Sequence, residues 1–435
     1  MAPMTITDSD ISGVVKRVYT GFREKIFPLS TPLLANVEKG KAGGIRNMRW
    51  GGEGVFFDAV LTRPVGMTAS DSGYFPPHAQ ATEKQGYMGV KRLYVTREID
   101  GLAVTGTNSR EAAFVSLAKK IIEEAKDAAT LGMQEFLHGN GTGVKALITS
   151  VTDTDTIVVS SPYGVSGAGQ GGLLLDAGMY IAVLDTSSSD AVLGKATITS
   201  VTNSGDSATL ELSTTISSMQ AGDKIVAATT SDTSYNAATN GLINITNRGG
   251  SYNTLHNING GTYPRWDAVR MVAGTDTPDV DQPSESDIWE LIARIRGRSG
   301  KDASAKPGEF LLITTPGIKK KLAESFYGQR RFTPADFTTI KGGFKAIQIC
   351  GVPLVEDQWC PAGTVYLLHL PSLTWVDSKD WAEVRIETMP VWRFIDGRDA
   401  GQINFGAYLN FGTVNRSTHG SITGYTDTSR YSHVV

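Results

Sequence analysis

The 435-residue sequence predicts an α+β fold with a small β-barrel or sandwich inserted into it. Three observations carry that expectation. The stretch Asn108–Asn140 has the apolar period of one long amphipathic helix. Residues 231–435 mix helical and strand patterns without strict βαβ alternation. Residues 146–230 are rich in Ser, Thr and Gly and repeat themselves.

The composition bounds the function. Hydrophobic residues at 40% and charged residues at 20% describe an ordinary folded chain with room for two or three compact units. A net charge of −3 gives no basic footprint for sequence-driven nucleic-acid binding. Two cysteines, Cys350 and Cys360, make no disulfide framework, so reduced thiols in a cytosolic product are expected. The start, MAPMTITDSD, has no charged and apolar signal segment, and no run of about 20 apolar residues predicts a membrane span.

Residues 1–50 read as an arm. Ile11, Val14, Val15, Val18 and Phe22 share a helical face, and Pro28 and Pro32 end regular structure. Residues 45–100 read as a long hairpin, IRNMRWGGEGVFFDAVL outward and GYMGVKRLYVTREI back. The Ser-, Gly- and Pro-rich link MTASDSGYFPPHAQATEK has too few apolar residues to fold alone, so such a flap needs an external surface. The long helix follows. Asn108 and Glu111 have capping-box spacing, Phe114, Leu117, Ile121, Ala125 and Ala128 form the stripe, and Gly139 stops it after His138. Glu123, Glu124 and Asp127 lie on its polar face.

In 146–230, Ile148-Thr149-Ser150-Val151-Thr152 recurs identically as residues 198–202. Each copy leads to a β-rich run, Thr156–Val159 or Ala208–Leu212, then to Ala-Gly and a third run. Two three-strand units predict six strands. Eight acidic residues against two lysines put the segment at −6, which leaves the rest of the chain at +3 by difference from −3. Beyond it, Ser284–Gly297 reads as a capped helix and Thr315-Pro316 opens another. Phe310–Thr314, Ala346–Val355, Thr364–Leu370, Glu383–Thr388 and Gln402–Thr413 read as strands.

Signatures of catalysis fail one by one. Gly167–Gly172 spells GAGQGG but opens no helix, so it reads as a mobile barrel loop rather than a dinucleotide site. Gly139–Gly143 lacks the Lys-Ser/Thr ending of a phosphate loop, and no Gly-x-Ser-x-Gly elbow occurs. His78, His138, His256, His369, His419 and His433 show no metal spacing. No catalytic residue, cofactor or metal is expected.

The order arm, flap, long helix, insert, α+β region and return strand resembles the major capsid proteins of tailed bacteriophages, the Hong Kong 97-like fold. The resemblance covers nearly the whole chain outside the insert. Its sharpest segment runs from Gly351-Val352-Pro353-Leu354-Val355-Glu356-Asp357 to Pro361-Ala362-Gly363-Thr364-Val365-Tyr366-Leu367-Leu368, similar to a strand–turn–strand of the family's axial domain. Leu137–Gly143 resembles the end of the spine helix, and Ala407–Gly424 the strand returning to the peripheral domain.

The resemblance implies an N-arm at 1–50, an E-loop at 51–100, and the spine helix with the start of the peripheral domain at 101–145. The inserted β domain is 146–230, the peripheral domain continues through 231–300, the axial domain is 301–400, and 401–435 returns to the peripheral domain. It implies self-assembly into hexamers and pentamers of an icosahedral virion shell enclosing double-stranded DNA. A separate scaffolding protein and portal and a decoration protein are the implied partners; no membrane is. In the family the E-loop crosses near a neighbour's spine helix, so Lys84, Lys91 and Arg92 are contact candidates for Glu123, Glu124 and Asp127. Some relatives join an E-loop Lys to a peripheral-domain Asn; Lys84, Lys91, Asn404, Asn410 and Asn415 have the residue types but match no motif. Two rivals stand beside this reading: an encapsulin-type cellular compartment, and a secreted β-rich carbohydrate-binding protein or glycosidase.

Overall fold

A computed structural model of the chain describes residues 33, 46–49, 54–63, 67, 80–100, 117–163, 170–229, 232, 235, 238–327, 337–339, 345–383, 393–395, 397 and 399–427. The arm helix, the capped start of the long helix at Asn108, His78 and His433 lie outside them. The elements begin with β1 (Arg46–Arg49), β2 (Val55–Val60), β3 (Glu83–Met88), β4 (Lys91–Asp100) and α1 (Leu117–His138). Then come β5 (Val144–Val151), β6 (Thr156–Ser160), β7 (Tyr180–Asp185), β8 (Ala191–Ser204), β9 (Ser207–Leu212), β10 (Lys224–Ala227) and α2 (Leu242–Thr246). Next are β11 (Thr254–Leu255), β12 (Ile258–Asn259), β13 (Val269–Val272), α3 (Glu285–Ser299), β14 (Phe310–Thr314) and α4 (Pro316–Tyr327). The chain ends with β15 (Phe337–Thr339), β16 (Lys345–Ile349), β17 (Val352–Glu356), β18 (Val365–His369), β19 (Leu373–Glu383), β20 (Arg393–Phe394), β21 (Ala400–Thr413) and β22 (Gly420–Thr423).

Two compact units result. The smaller holds Tyr94–Thr130 and Glu383–Phe405. In it β4 pairs with β21, Thr96 Oγ1 donates to Asn404 Oδ1 at 2.9 Å, and Arg393 pairs antiparallel with Gln402. The larger holds Ser30–Leu93, Leu131–Ala382 and Gly406–Val435.

The heart of the larger unit is a seven-stranded sheet in the order β13-β22-β18-β14-β17-β16-β15. Every residue of β14 and β18 is buried. Leu312, Leu354 and Leu367 face Ile288, Leu291 and Ile295 of α3 and Ile318 and Leu322 of α4. Leu311, Ile313, Tyr366 and Leu368 face the other way, toward Met133 and Leu137 of α1 and Leu242 and Ile245 of α2. A sheet covered on both faces needs continuous apolar strands, which is why FLLIT and VYLLH do not alternate. Helix α3 starts at a true capping box, Ser284 Oγ accepting from Asp287 N and Asp287 Oδ2 accepting from Ser284 N, and ends at Gly300 with φ 72°.

Two sequence expectations change here. Ala346–Val355 is not one strand but the hairpin β16–β17, reversed at Cys350 (φ 53°) and Gly351 (φ 79°). Both residues are left-handed, the geometry of a two-residue hairpin turn, but Cys stands where Asn or Asp would have announced it. Ala407–Gly424 is not one returning strand. Asn415 caps a short turn over Arg416–Thr418, and β22 then joins the seven-stranded sheet between β13 and β18. Arg416 drives that break. Its fully buried guanidinium donates to Asp267 Oδ1 at 2.9 Å and to the carbonyls of Ile245, Asn244, Asn247 and Tyr252.

Strands β5–β10 close into a barrel in the order β10-β5-β6-β9-β8-β7. The repeat is written into its geometry. In each copy the ladder slips at the Thr of Ile-Thr-Ser, between Ile148 and Ser150 against β6 and between Ile198 and Ser200 against β9. Such a bulge bends its strand, as a small barrel requires. Gly178 N donates to Ile198 O and Gly222 N to Ile148 O, both at 2.8 Å. Across β6–β9, Ile157 pairs with Leu210 and Val159 with Ala208; across β7–β10, Val183 pairs with Ile225 and Ile181 with Ala227. Exchanging the two copies maps both seams onto themselves, so the barrel has an internal pseudo-twofold.

Within the larger unit, the barrel is fastened to the rest through the β6–β7 connection. Gln170, buried, donates Nε2 to Cys360 O at 2.8 Å and accepts Ala362 N at 3.0 Å. Leu173 and Leu174 pack on Trp359 and Leu131. The described half of GAGQGG is therefore an anchored plug rather than a mobile loop, and Gly171 lies so close to Asp206 O that a Cβ would sit at 2.5 Å.

Candidate assembly surfaces

The hairpin β2–β3 has two unlike faces. Val55 and Phe57 turn inward with Met88 and Gly86 opposite them. Phe57 stacks on Trp266 with centroids 6.0 Å apart and meets His256 edge-on, while Leu61 continues the contact to Ile258 and Trp266. Gly86 leaves room for the Phe57 ring, since a Cβ there would lie 2.3 Å from it. Tyr87 N donates to His256 O at 3.0 Å, which ties the hairpin to the β11–β12 turn. On the outer face Phe56 (48% exposed) and Tyr87 pair at 5.2 Å, and Val60 (62% exposed) lies on the same face beyond Asp58 and Gln85. An aromatic pair and a valine open to solvent on a two-stranded ribbon are exposed apolar surface. The sequence held this signal in the alternation Phe56, Asp58, Val60, but Phe56-Phe57 hides which aromatic faces out.

The charged candidates fall into both units. Lys84 is exposed, sits opposite Ala59, and by the pairing register belongs to the inward-facing side of the hairpin, away from Phe56. Arg92 is exposed and Lys91 half-buried on β4. Glu123 and Glu124 are exposed and Asp127 half-buried on α1. The apolar face of α1 runs through Ile121, Ala125, Ala129, Met133 and Leu137, with Ala129 in place of the expected Ala128. Steps of four residues rotate the buried stripe by roughly 40° each, so it winds around the helix. That winding brings Gln134 and His138 inside, and His138 Nε2 lies 3.2 Å from Asp357 Oδ2.

Several polar and titratable groups of the described residues have structural partners. Asn410 donates to Gly89 O at 2.7 Å and accepts Asn240 N and Phe411 N; Asn404 accepts from Thr96 and Gln402; Asn415 caps its turn. The Cys360 thiol is buried, and burial with Asp357 nearby pushes its pKa well up. His256 and His419 are buried, and desolvation first brings each down to about 3, helped by Arg416 at His256 and by His369 and then Arg416 at His419. Among the described residues no three His, Cys, Asp or Glu side chains converge as metal ligands, and no helix is long and apolar enough to cross a membrane.

No family model and no curated protein matches the sequence. Solved structures do match the fold. The chain is similar to one in the cyanophage A-1(L) capsid asymmetric unit, with a TM-score of 0.57 over 97% of this chain and 100% of that one at 12% identity. The capsid of a native GTA particle aligns at 0.49 over 98% and 100% with 7% identity, and an encapsulin complex from Synechococcus elongatus at 0.45 over 99% and 100% with 9% identity. At 12% identity the likeness speaks for the fold alone: this chain shares its fold with a chain of the cyanophage capsid over 97% of its length.

Proposed function

We propose that this chain is the major capsid protein of a tailed-bacteriophage-like virion, with a Hong Kong 97-like fold and a structural rather than catalytic role. Many copies would form the hexamers and pentamers of an icosahedral shell around double-stranded DNA. The observation that carries the reading is the end-to-end likeness to a cyanophage capsid chain. The outer face of β2–β3 supports it, because Phe56, Tyr87 and Val60 leave apolar surface that a second copy would cover. In this reading β2–β3 is the E-loop, α1 the spine helix, and β5–β10 an inserted barrel on the shell's outer surface. With −3 overall, the subunit would contain DNA without gripping it, so packing would depend on a portal and motor rather than on counterion release. Scaffolding and decoration proteins would be separate chains, and assembly would take place in the host cytoplasm.

Between copies, the reading brings Lys84, Lys91 and Arg92 near Glu123, Glu124 and Asp127. Each exposed pair is worth about 0–1 kcal/mol, so the charges would set register and rate over many interfaces rather than hold one. Glu123→Lys with Glu124→Lys should slow assembly at low salt, and adding Lys91→Glu with Arg92→Glu should restore part of it. Normal assembly of the first variant would end the pairing idea.

Sedimentation of the purified protein tests the function itself. Particles of many subunits are expected in place of 46.5 kDa monomers. Nucleic acid rather than an enzyme inside native particles separates virion from encapsulin.

A further inference from the structure

On the open side of β13 lies a cavity of about 300 Å³ lined by Arg248, Asn253, Asp267, Arg270 and Asp276 among others. Its two carboxylates are already engaged. Asp267 Oδ1 accepts from Arg416 Nη1 at 2.9 Å. Asp276 Oδ1 accepts from Arg294 Nη1 at 2.8 Å and its Oδ2 from Val272 N at 2.9 Å. Arg298 fills the carbonyls of Asp267 and Ala268. Arg248 and Arg270 are left over: neither has an acidic partner within 4 Å among the described residues. Arg270 Nε is also buried with no hydrogen-bond partner among them. A buried guanidinium N–H without an acceptor is costly, and the planar fork of arginine fits an oxyanion in two-point fashion.

Strand register adds a second line. Val269 N donates to His419 O and Ala273 N to Thr423 O, so the odd residues of β13 turn their peptide groups toward β22. In a parallel pair the even residues then face the open edge. Val272 is closed off there by Thr275 and Asp276, which leaves the Arg270 peptide beside the cavity. Five arginines, 248, 270, 294, 298 and 416, gather around Asp267, Asp276 and the Glu290 that pairs with Arg294. The local surplus is positive in a chain whose net charge is −3.

We propose that this pocket is an oxyanion site, taking a phosphate or carboxylate group between Arg248 and Arg270. Asp267 and Asp276 hold Arg416 and Arg294 through hydrogen bonds, and the nearby Arg248 charge also acts on both carboxylates, so an incoming anion would share Arg248 with them. The pocket holds one such group with room for its remaining water.

Calorimetric titration of the purified full-length protein at low ionic strength tests this, with inorganic phosphate, acetate and magnesium as probes. Saturable binding of one phosphate per chain is expected. Arg270→Gln and the more exposed Arg248→Gln should each weaken it about tenfold, the scale of one charge-assisted hydrogen bond. Lys320→Gln, which removes only an exposed pair with Glu324, should leave it unchanged. Acetate binding with the same dependence on both arginines extends the site to carboxylates; binding of phosphate alone confines it to phosphate chemistry. Absence of binding by both anions, indifference to both arginine changes, or a site that takes magnesium in place of phosphate overturns the proposal. None of these outcomes depends on whether the protein forms shells.

Discussion

At the scale of single residues, His256 and His419 set a pH limit. Both are buried, both are neutral, and each has its pKa pulled down to about 3 from 6.5. His419 Nδ1 accepts His369 N at 3.3 Å and its Nε2 meets Thr413 Oγ1 at 2.9 Å, while His256 Nε2 accepts Thr413 N at 3.3 Å. The folded state refuses protons that the unfolded state takes up below pH 6.5. Their contribution is therefore complete above 6.5 and declines as pH falls toward 3, by about 1.4 kcal/mol per pH unit for each imidazole. The carboxyls of Asp276 and Glu309 sit below their usual range, held first by hydrogen bonds from Arg294 and Lys306, so their losses come at lower pH. Denaturant midpoints measured from pH 7.5 to 4.5 should fall steeply, and more gently in His419→Gln. Equal slopes would show that His419 is not among the residues that sense acid.

At the scale of elements, changes in the hairpin and the barrel would separate folding from the proposed assembly. Phe56→Ser with Val60→Ser touches only the open face, so unfolding should shift by only about 1 kcal/mol, the scale of the lost Phe56–Tyr87 contact, while shell formation drops. Phe57→Ala removes the ring that lies on Trp266 and should destabilise the subunit itself by about 2–4 kcal/mol. If the outer pair destabilises the monomer as much as the inner change, the two faces have been assigned wrongly. The barrel enters and leaves on neighbouring strands, Val144 facing Val226. Replacing residues 146–225 with a short Gly/Ser linker should leave a folded subunit that has lost the Gln170 and Leu173–Leu174 anchorage, with its circular dichroism otherwise intact. A wholly unfolded product would place the barrel in the core.

Some of these elements were legible and others were not. The capping box at Ser284 and the strand FLLIT announce themselves in a few residues, because their causes are local. The duplicated ITSVT reveals a repeat, and the structure adds that each copy bulges at its Thr. Non-local causes stayed hidden. A turn led by Cys350 carries no turn residue at its first position, and the break at Arg416 depends on carbonyls more than 160 positions away. The outer role of Phe56 becomes visible only when Gly86 opposite Phe57 shows which ring lies within. Arg248 and Arg270 have no motif at all; they meet because β13 ends one sheet and the loop after α2 passes over it.

At the scale of the whole molecule, a sequence with 12% identity to its cyanophage counterpart keeps that fold across 97% of its length. Buried strands and helices need only apolar residues of suitable size and period, so architecture outlasts sequence. What a shell adds is repetition. In the proposed shell, surfaces such as Phe56 and Val60, too small to hold two copies together alone, would act many times over in a closed lattice. Whether this chain builds such a lattice is read from a cryo-electron microscopy reconstruction of the purified protein. Closed icosahedral particles with five-fold and six-fold capsomers are expected, each hairpin's Phe56 face covered by the next subunit. Monomers or open aggregates at every concentration and salt, or shells whose hairpins stand free in solvent, would contradict the proposed assembly.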